Sequence, residues 1–389
     1  MKNSLRTVKI AGLVLALLFA SVAGCKFWEE RHFKEPVVIG PGVTEVKKLS
    51  DYSPVIKGTV NDCNIYIMDS GKPGGTALLI GGTHPEEPVG NLTASIFVEN
   101  IRVTSGKVLV AIRANTSASL STRMGEGYPR FLHIKTPWGV KKWRMGDRCA
   151  KPLDSWPDPE VYVHYPSGQT LAYMDIRNFN RTWPGKKDGL LVQRTNYAFM
   201  EMIRKEKVDI EADLHGAELE YPVENTIVAH EKAEAVAAMT SMILTSSVFP
   251  VPIGMEYSPK ALHGLSHREI GDYSDAMSLL MEAAEPMLDR IRGITDERLL
   301  LDGKDRFVIK AGEKKLLYAP IDENGWPMKV RVARHMTTFA EELQLFSQMN
   351  PSKAISLAGV PSYKTMVDSG LGVYFHDPSE VPAEKVRYD

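Results

Sequence analysis

The chain is poor in cysteine, with three among 389 residues, so one disulfide is the most it can form. It also lacks any excess of charge. Lys plus Arg number 47 and Asp plus Glu 48, which excludes the basic footprint of a nucleic-acid partner. No internal repeat and no low-complexity tract is present, and the longest clear apolar core, Ile10 to Ala20, is short. A membrane-spanning helix takes about 20 apolar residues, so this run reads as a processing signal.

What is there begins with that signal. Lys2, Arg6 and Lys9 form a positive n-region, and Val22-Ala23-Gly24-Cys25 matches the cleavage box of bacterial lipoproteins. Residues 1–24 are therefore expected to be removed and Cys25 to carry the lipid, with an ordinary secreted protein as the alternative. More than one acyl chain gives stable anchoring. Lys26 follows, with no acidic residue to retain the protein at an inner membrane, so the expected location is the periplasmic face of an outer membrane, or else the cell surface. In an exported chain the two remaining cysteines, Cys63 and Cys149, are expected to pair, with two free buried thiols as the other possibility.

At 43% hydrophobic and 24% charged, the remainder suits one large domain. Residues 25–50, rich in charge with Pro36, Pro41 and Gly42, read as a tether. Residues 51–350 read as the main domain and 351–389 as a C-terminal tail. Strand-like runs at 64–68, 76–80, 107–112 and 208–214 alternate with helical stretches at 91–101, 191–205 and 231–245. This predicts an α/β fold, a three-layer α/β/α sandwich on a mixed, mostly parallel sheet. Val332, Met336, Phe339, Leu343 and Phe346 recur at helical spacing, so Glu341 and Glu342 belong to a helix. Turn signals at Asp302-Gly303 and Glu323-Asn324-Gly325 predict a small β insertion over 293–328. The segment 116–189 is long, aperiodic and rich in Pro, Gly, Trp and Tyr, with Trp138-Gly139 and Trp156-Pro157-Asp158-Pro159 as rigid rim elements. Such segments are usually functional.

The most informative stretch is Ile80-Gly81-Gly82-Thr83-His84-Pro85-Glu86-Glu87. A buried run, Ala77 to Ile80, stops at two glycines, and a His and a Glu follow three apart. Open α/β sheets put their ligand sites at such carboxyl ends. An imidazole and a carboxylate there can grip zinc, which needs one more protein ligand to become a hydrolytic centre. His-x-x-Glu alone is weak, since it recurs at His32/Glu35 and His215/Glu218 among ten histidines. A second buried strand ends in Asp213-Leu214-His215-Gly216. His215 would complete a two-His, one-Glu set, and Asp213, on the same strand face, could support it from behind. Arg177-Asn178-Phe179-Asn180-Arg181 offers an amide and a guanidinium that could hold a substrate carboxylate, or simply form a surface ion pair. Leu279-Leu280-Met281-Glu282 ends another strand-like run in a carboxylate. In apolar surroundings its pKa would rise toward that of a general base, whereas in a helix it would be solvated. His263 and His267, four apart, have a helical spacing that could also bind metal, but neither ends a strand, so a rim or structural role is expected.

In order over residues 76 to 290, four segments resemble the zinc carboxypeptidase superfamily, nearest its succinylglutamate desuccinylase/aspartoacylase deacylases. They are Gly81-Gly82-Thr83-His84-Pro85-Glu86-Glu87, Asn178-Phe179-Asn180-Arg181-Thr182-Trp183-Pro184-Gly185, Asp213-Leu214-His215-Gly216 and Leu280-Met281-Glu282. The resemblance implies one zinc ion on His84, Glu87 and His215, a carboxylate held by Asn180 and Arg181, and Glu282 as the base. The chain departs from that pattern. Pro85 replaces a usual Gly, pushing His84 toward extended backbone, and Asn178 replaces an Asp behind His84. The arginine that polarises the carbonyl has no clear counterpart, leaving Arg148 and Arg177 as candidates, and Tyr257 is expected to line the pocket. The expected activity is zinc-dependent hydrolysis of an amide in a small N-acyl amino acid or a peptide, such as a cell-wall stem peptide, by a membrane-anchored lipoprotein. The rival is an inactive binding or scaffolding lipoprotein that keeps the fold.

Overall fold

The structure is a computed structural model describing residues 2–121, 129–288 and 292–389, with side chains from residue 5 onward. The side chain of Lys2 and residues 122–128 of the aperiodic segment lie outside the described residues. The chain divides into two units, Met1–Glu35 and Pro36–Asp389. The first is a single helix, α1 (Lys2–His32), whose described side chains are exposed apart from a half-buried Glu30. Its portion Leu5–His32 is long and apolar enough to cross a membrane, a test that signal sequences also pass. The apolar helix is longer than the sequence estimate because it runs on through Cys25, Phe27 and Trp28.

The second unit is built on an eight-stranded mixed sheet. In chain order its strands are β1 (Glu45–Lys48), β2 (Asn64–Asp69), β3 (Thr76–Ile80), β4 (Lys107–Ala111), β5 (Ile210–Ala217), β6 (Thr226–Ala229), β7 (Gly254–Tyr257) and β8 (Met277–Ala284). Across the sheet they run β7-β6-β8-β5-β3-β4-β2-β1. The centre, β8-β5-β3-β4, is parallel, and β7 joins β6 in parallel. The pairs β6/β8, β4/β2 and β2/β1 are antiparallel.

Strand side chains alternate between faces, so β3 and β4 feed two cores, while β5 and β8 feed one core and turn mostly polar residues to the other face. Ala77, Leu79, Ile210, Ala212 and Leu214 pack with helices α2 (Pro88–Asn100), α4 (Glu234–Ser246) and α6 (Met328–Met349). Leu78, Ile80, Leu109 and Ala111 face the other way, onto α3 (Leu191–Glu206) and Ile270 of α5 (Ser266–Tyr273). Two helical layers enclose one sheet, as the alternation predicts. The apolar stripe of α6 is fully buried, so truncating Phe339 to Ala removes about 3–5 kcal/mol.

Four expectations need correction. Residues 293–328 form no β insertion but contain two short helices, Glu297–Asp302 and Arg306–Glu313. Of the residues read as β-turn signals, Gly303 is a helix cap, whereas Glu323-Asn324-Gly325 does turn, with the Gly325 amide donating to the Asp322 carbonyl at 3.0 Å. Asp296 accepts from the Leu299 amide, Asp305 accepts from those of Phe307 and Val308, and Gly303 (φ 62°) ends the first helix. Residues 36–50 are no tether: Pro36–Val38 pairs with Val386–Tyr388, β1 edges the sheet and Leu49 is buried. Residues 351–389 are no tail. Ser356–Ala358 pairs with Arg102–Ser105, and the terminal Asp389 side chain accepts from Asn64 and, at 2.9 Å, from the Tyr66 hydroxyl. Cys63 and Cys149 are free thiols and form no disulfide. Cys63 is buried in the core beneath α3, whereas Cys149 is half-buried and forms a backbone β-bridge with Asn178.

Candidate metal centre

After β3 the chain must turn sharply, and Gly82 takes φ 73° where an added Cβ would meet the Ile112 carbonyl oxygen at 2.8 Å. The turn that follows is closed by the Glu87 amide donating to the His84 carbonyl at 2.9 Å. Pro88 then starts α2. His84 and Glu87 are thus fixed side by side at the carboxyl end of β3. His215 reaches them from β5, the neighbouring parallel strand, with Glu282 beside it in register on β8.

His84 Nδ1 lies 2.8 Å from Glu87 Oε1, and His215 Nδ1 lies 3.0 Å from Glu87 Oε2. His84 Nε2 lies 2.9 Å from Asn178 Oδ1, which also accepts the Asn180 amide. That oxygen can only accept, so His84 Nε2 carries the proton and its Nδ1 lone pair faces the carboxylate. Behind His215, Asp213 Oδ2 stands 3.0 Å from Nε2, and Asp213 Oδ1 accepts the Thr83 hydroxyl at 2.8 Å. Both outer nitrogens therefore face an oxygen, Asn178 Oδ1 in a hydrogen bond and Asp213 Oδ2 in an ion-pair contact, and both rings turn Nδ1 onto one carboxylate.

All three side chains are buried, and a ligand atom from each lies within 4.8 Å of the others. Tetrahedral zinc, with bonds of about 2.0–2.2 Å, holds such atoms roughly 3.3 Å apart. Nitrogen lone pairs facing a carboxylate repel unless a cation or a shared proton lies between them. The donor set and its outer partners fit a zinc-type divalent cation.

The electrostatics follow from these contacts. Burial would raise the Glu87 carboxyl, but the two imidazoles outweigh it and hold Glu87 well below the usual range. Burial first, and then the Arg148 guanidinium, push His84 down to about 4. Burial also acts to lower His215, but Asp213 and Glu87 overcome it and carry His215 well above its ordinary value. Burial pushes Glu282 up to about 8, with Glu87 adding to the rise while His215 and Arg148 oppose it. Glu282 Oε2 is buried without a hydrogen-bond partner.

A cavity of about 260 Å³ opens over these groups, lined by Arg148, Asn180, Arg181, Tyr257, His267 and Glu282 among others. Arg148 Nη1 donates to Glu87 Oε1 at 3.2 Å. Arg177, the other candidate for the carbonyl, is absent from this cavity. Its Nε–H is shared between the two Asp158 oxygens at 3.0 and 3.1 Å and its Nη1 donates to the Ala150 carbonyl, so its work is to order the aperiodic segment. Asn180 accepts the Ser266 amide at 2.7 Å, and Arg181 Nη1 donates to the Asn180 carbonyl at 2.7 Å. Tyr257 stands at the exposed rim with its hydroxyl 3.2 Å from Glu234. Sequence reasoning missed Glu218, Tyr221 and Glu256 as lining residues. His267, placed in a rim or structural role, is buried at the cavity wall, where it meets the Ser258 hydroxyl at 2.8 Å.

No protein-family model and no curated protein sequence matches the chain. Similar solved structures exist at low identity. A succinylglutamate desuccinylase from Silicibacter sp. TM1040 is 15% identical with a TM-score of 0.36, over 57% of this chain and 52% of that one. The tripeptide-bound cell shape determinant Csd4 from Helicobacter pylori is 12% identical with a TM-score of 0.42, over 87% of this chain and 60% of that one. Its mDAP-bound form, described as a D,L-carboxypeptidase, gives 14% and 0.41, over 76% and 55%. The chain thus spans only about half to three fifths of these proteins.

Proposed function

We propose that the protein is a zinc-dependent hydrolase of an amide bond, with His84, Glu87 and His215 holding the ion. One observation carries the reading: both imidazoles turn Nδ1 onto the Glu87 carboxylate, one strand away from a half-buried Glu282 whose Oε2 is buried without a hydrogen-bond partner. When bound, zinc supplies a water of pKa near 7 and polarises the scissile carbonyl. Glu282 Oε2 takes a proton from the attacking water and returns it to the leaving amine. Its raised pKa suits both steps. Arg148 stabilises the developing oxyanion. Arg181, oriented through the Asn180 carbonyl, pairs with a carboxylate on the substrate, while Tyr257 and His267 shape the wall.

The substrate is a small carboxylate-bearing N-acyl amino acid or the end of a peptide, within the reach of a 260 Å³ cavity. Lipidation of Cys25 would hold the enzyme at the periplasmic face of an outer membrane or at the cell surface. Palmitate labelling that disappears in Cys25→Ser is the outcome expected.

Replacing Glu282 by Gln should lower turnover by about 10²–10⁴-fold with zinc content unchanged. Retained turnover would move the base elsewhere. A second reading, a binding lipoprotein without chemistry, is favoured by the neutral Asn178 amide behind His84. Purified protein without stoichiometric zinc, and inert toward both N-acyl amino acids and peptides, would establish that reading.

A further inference from the structure

A second convergence of imidazoles and carboxylate lies where the aperiodic segment meets α5. His164 follows the strand Tyr162–Val163, and His263 precedes α5, which carries Glu269. The two rings stack at 5.8 Å with an interplanar angle of 18°. His164 Nε2 is 2.6 Å from the Trp183 carbonyl oxygen. Only an N–H can approach a carbonyl so closely, so Nε2 is protonated and Nδ1 keeps its lone pair. That lone pair meets the rotatable hydroxyl of Ser167 at 2.7 Å.

Glu269 is 1% exposed. Its Oε1 lies 2.8 Å from His263 Nδ1 and accepts the Gly264 amide at 2.9 Å, but its Oε2 has no partner. A buried carboxylate oxygen without a partner is costly. One atom from each of His164, His263 and Glu269 lies within 4.8 Å of the others. His263 is 30% exposed, which leaves an entry path and room for a water as fourth ligand.

We propose that His164, His263 and Glu269 form a second site for a zinc-type divalent cation, separate from the centre at His84, Glu87 and His215. Two imidazoles and one carboxylate, with a position left for water, are a borderline-metal donor set. The cation's work there is bracing. His164 grips the Trp183 carbonyl, the Tyr162 hydroxyl donates to the Arg181 carbonyl at 2.9 Å, and the Trp183 amide donates to Gly264 at 3.2 Å. The Ser266 amide in turn holds Asn180 Oδ1. A cation at this junction ties the wall of the pocket to the loop that carries Asn180 and Arg181.

The test counts metal in the full-length protein in detergent, stripped with chelator, reloaded with zinc and dialysed. Wild type is expected to hold two zinc ions per chain, with one in His84→Ala and one in His263→Ala. Wild type and His263→Ala both holding one ion, with none in His84→Ala, would overturn the second site and leave the first standing. Zinc lost in His263→Ala but unchanged in His84→Ala would support the second site and sink the catalytic centre. Cobalt loading of His84→Ala gives an independent readout. A visible d–d band is expected there and not in His84→Ala/Glu269→Gln, whereas a band of equal strength in both would also overturn the proposal. Zinc should raise the Tm of His84→Ala by stabilising its folded state.

Discussion

His84 and His215 meet the same carboxylate, yet they are built unlike. His84 sits on the turn after β3 and is backed by the Asn178 amide. His215 sits within β5 and is backed by the Asp213 carboxylate two residues earlier on the same strand face. Both rings are buried, but one is held at about 4 and the other well above its ordinary value. Burial penalises both, so the difference comes from the charges nearby: Arg148 beside His84 lowers it, and Asp213 behind His215 raises it. A carboxylate behind an imidazole raises its basicity and its strength as a ligand, whereas an amide fixes orientation without adding charge. In the proposed zinc centre, His215 on the rigid sheet would be the stronger ligand and His84 on the turn the weaker.

The comparison can be broken most severely by deleting each ring. His215→Ala should abolish zinc binding at the centre together with turnover, while His84→Ala should keep weak, measurable affinity. Equal losses in competition with a chelator would mean that the outer partners do not grade the ligands. Exchanging the outer partners gives a smaller effect. Asp213→Asn should weaken zinc by about 10–100-fold, and Asn178→Asp should tighten it by up to a similar factor. Chelator competition reads both, and a tighter Asp213→Asn would reverse the argument.

The smallest effect sharpens the role of partners against burial alone. Glu342 on α6 is fully buried with both oxygens unpartnered, and burial alone raises it well above the usual range. Glu87, just as buried, is driven the opposite way by its imidazoles. A raised acid contributes stability in full below its unfolded pKa of about 4.3 and loses it as pH rises through the folded value. Glu342→Gln should therefore match wild type near pH 4 and melt higher at pH 8–9. A Tm difference independent of pH would show that Glu342 has a partner after all.

Local signals made much of this legible. β2, β3, β4, β5 and β8 announce themselves as apolar runs, and α6 by its stripe of five buried residues. These elements are long or fully buried, so pattern and environment agree. β6 and β7 are four residues each and went unread. Gly303, which ends the Glu297–Asp302 helix, looks like a β-turn glycine because Gly serves in both. The pairing of Pro36–Val38 with Val386–Tyr388 joins the two ends of the domain through three residues each, too few to leave a pattern. Arg148 and Arg177 could not be told apart either, because the fold of the aperiodic segment decides which one faces the pocket.

The sequence by itself determined which strands end in chemistry: a His and a Glu after β3, a His late in β5 and a Glu late in β8, each set there by where an apolar run stops. Only the tertiary structure decided that β5 lies between β3 and β8 in parallel, because strand order depends on non-local pairing. That order brings His215 against Glu87 and beside Glu282. It also decided the thiols, the arginine and the Asn178 contact, since each depends on where a loop packs and not on what the loop contains.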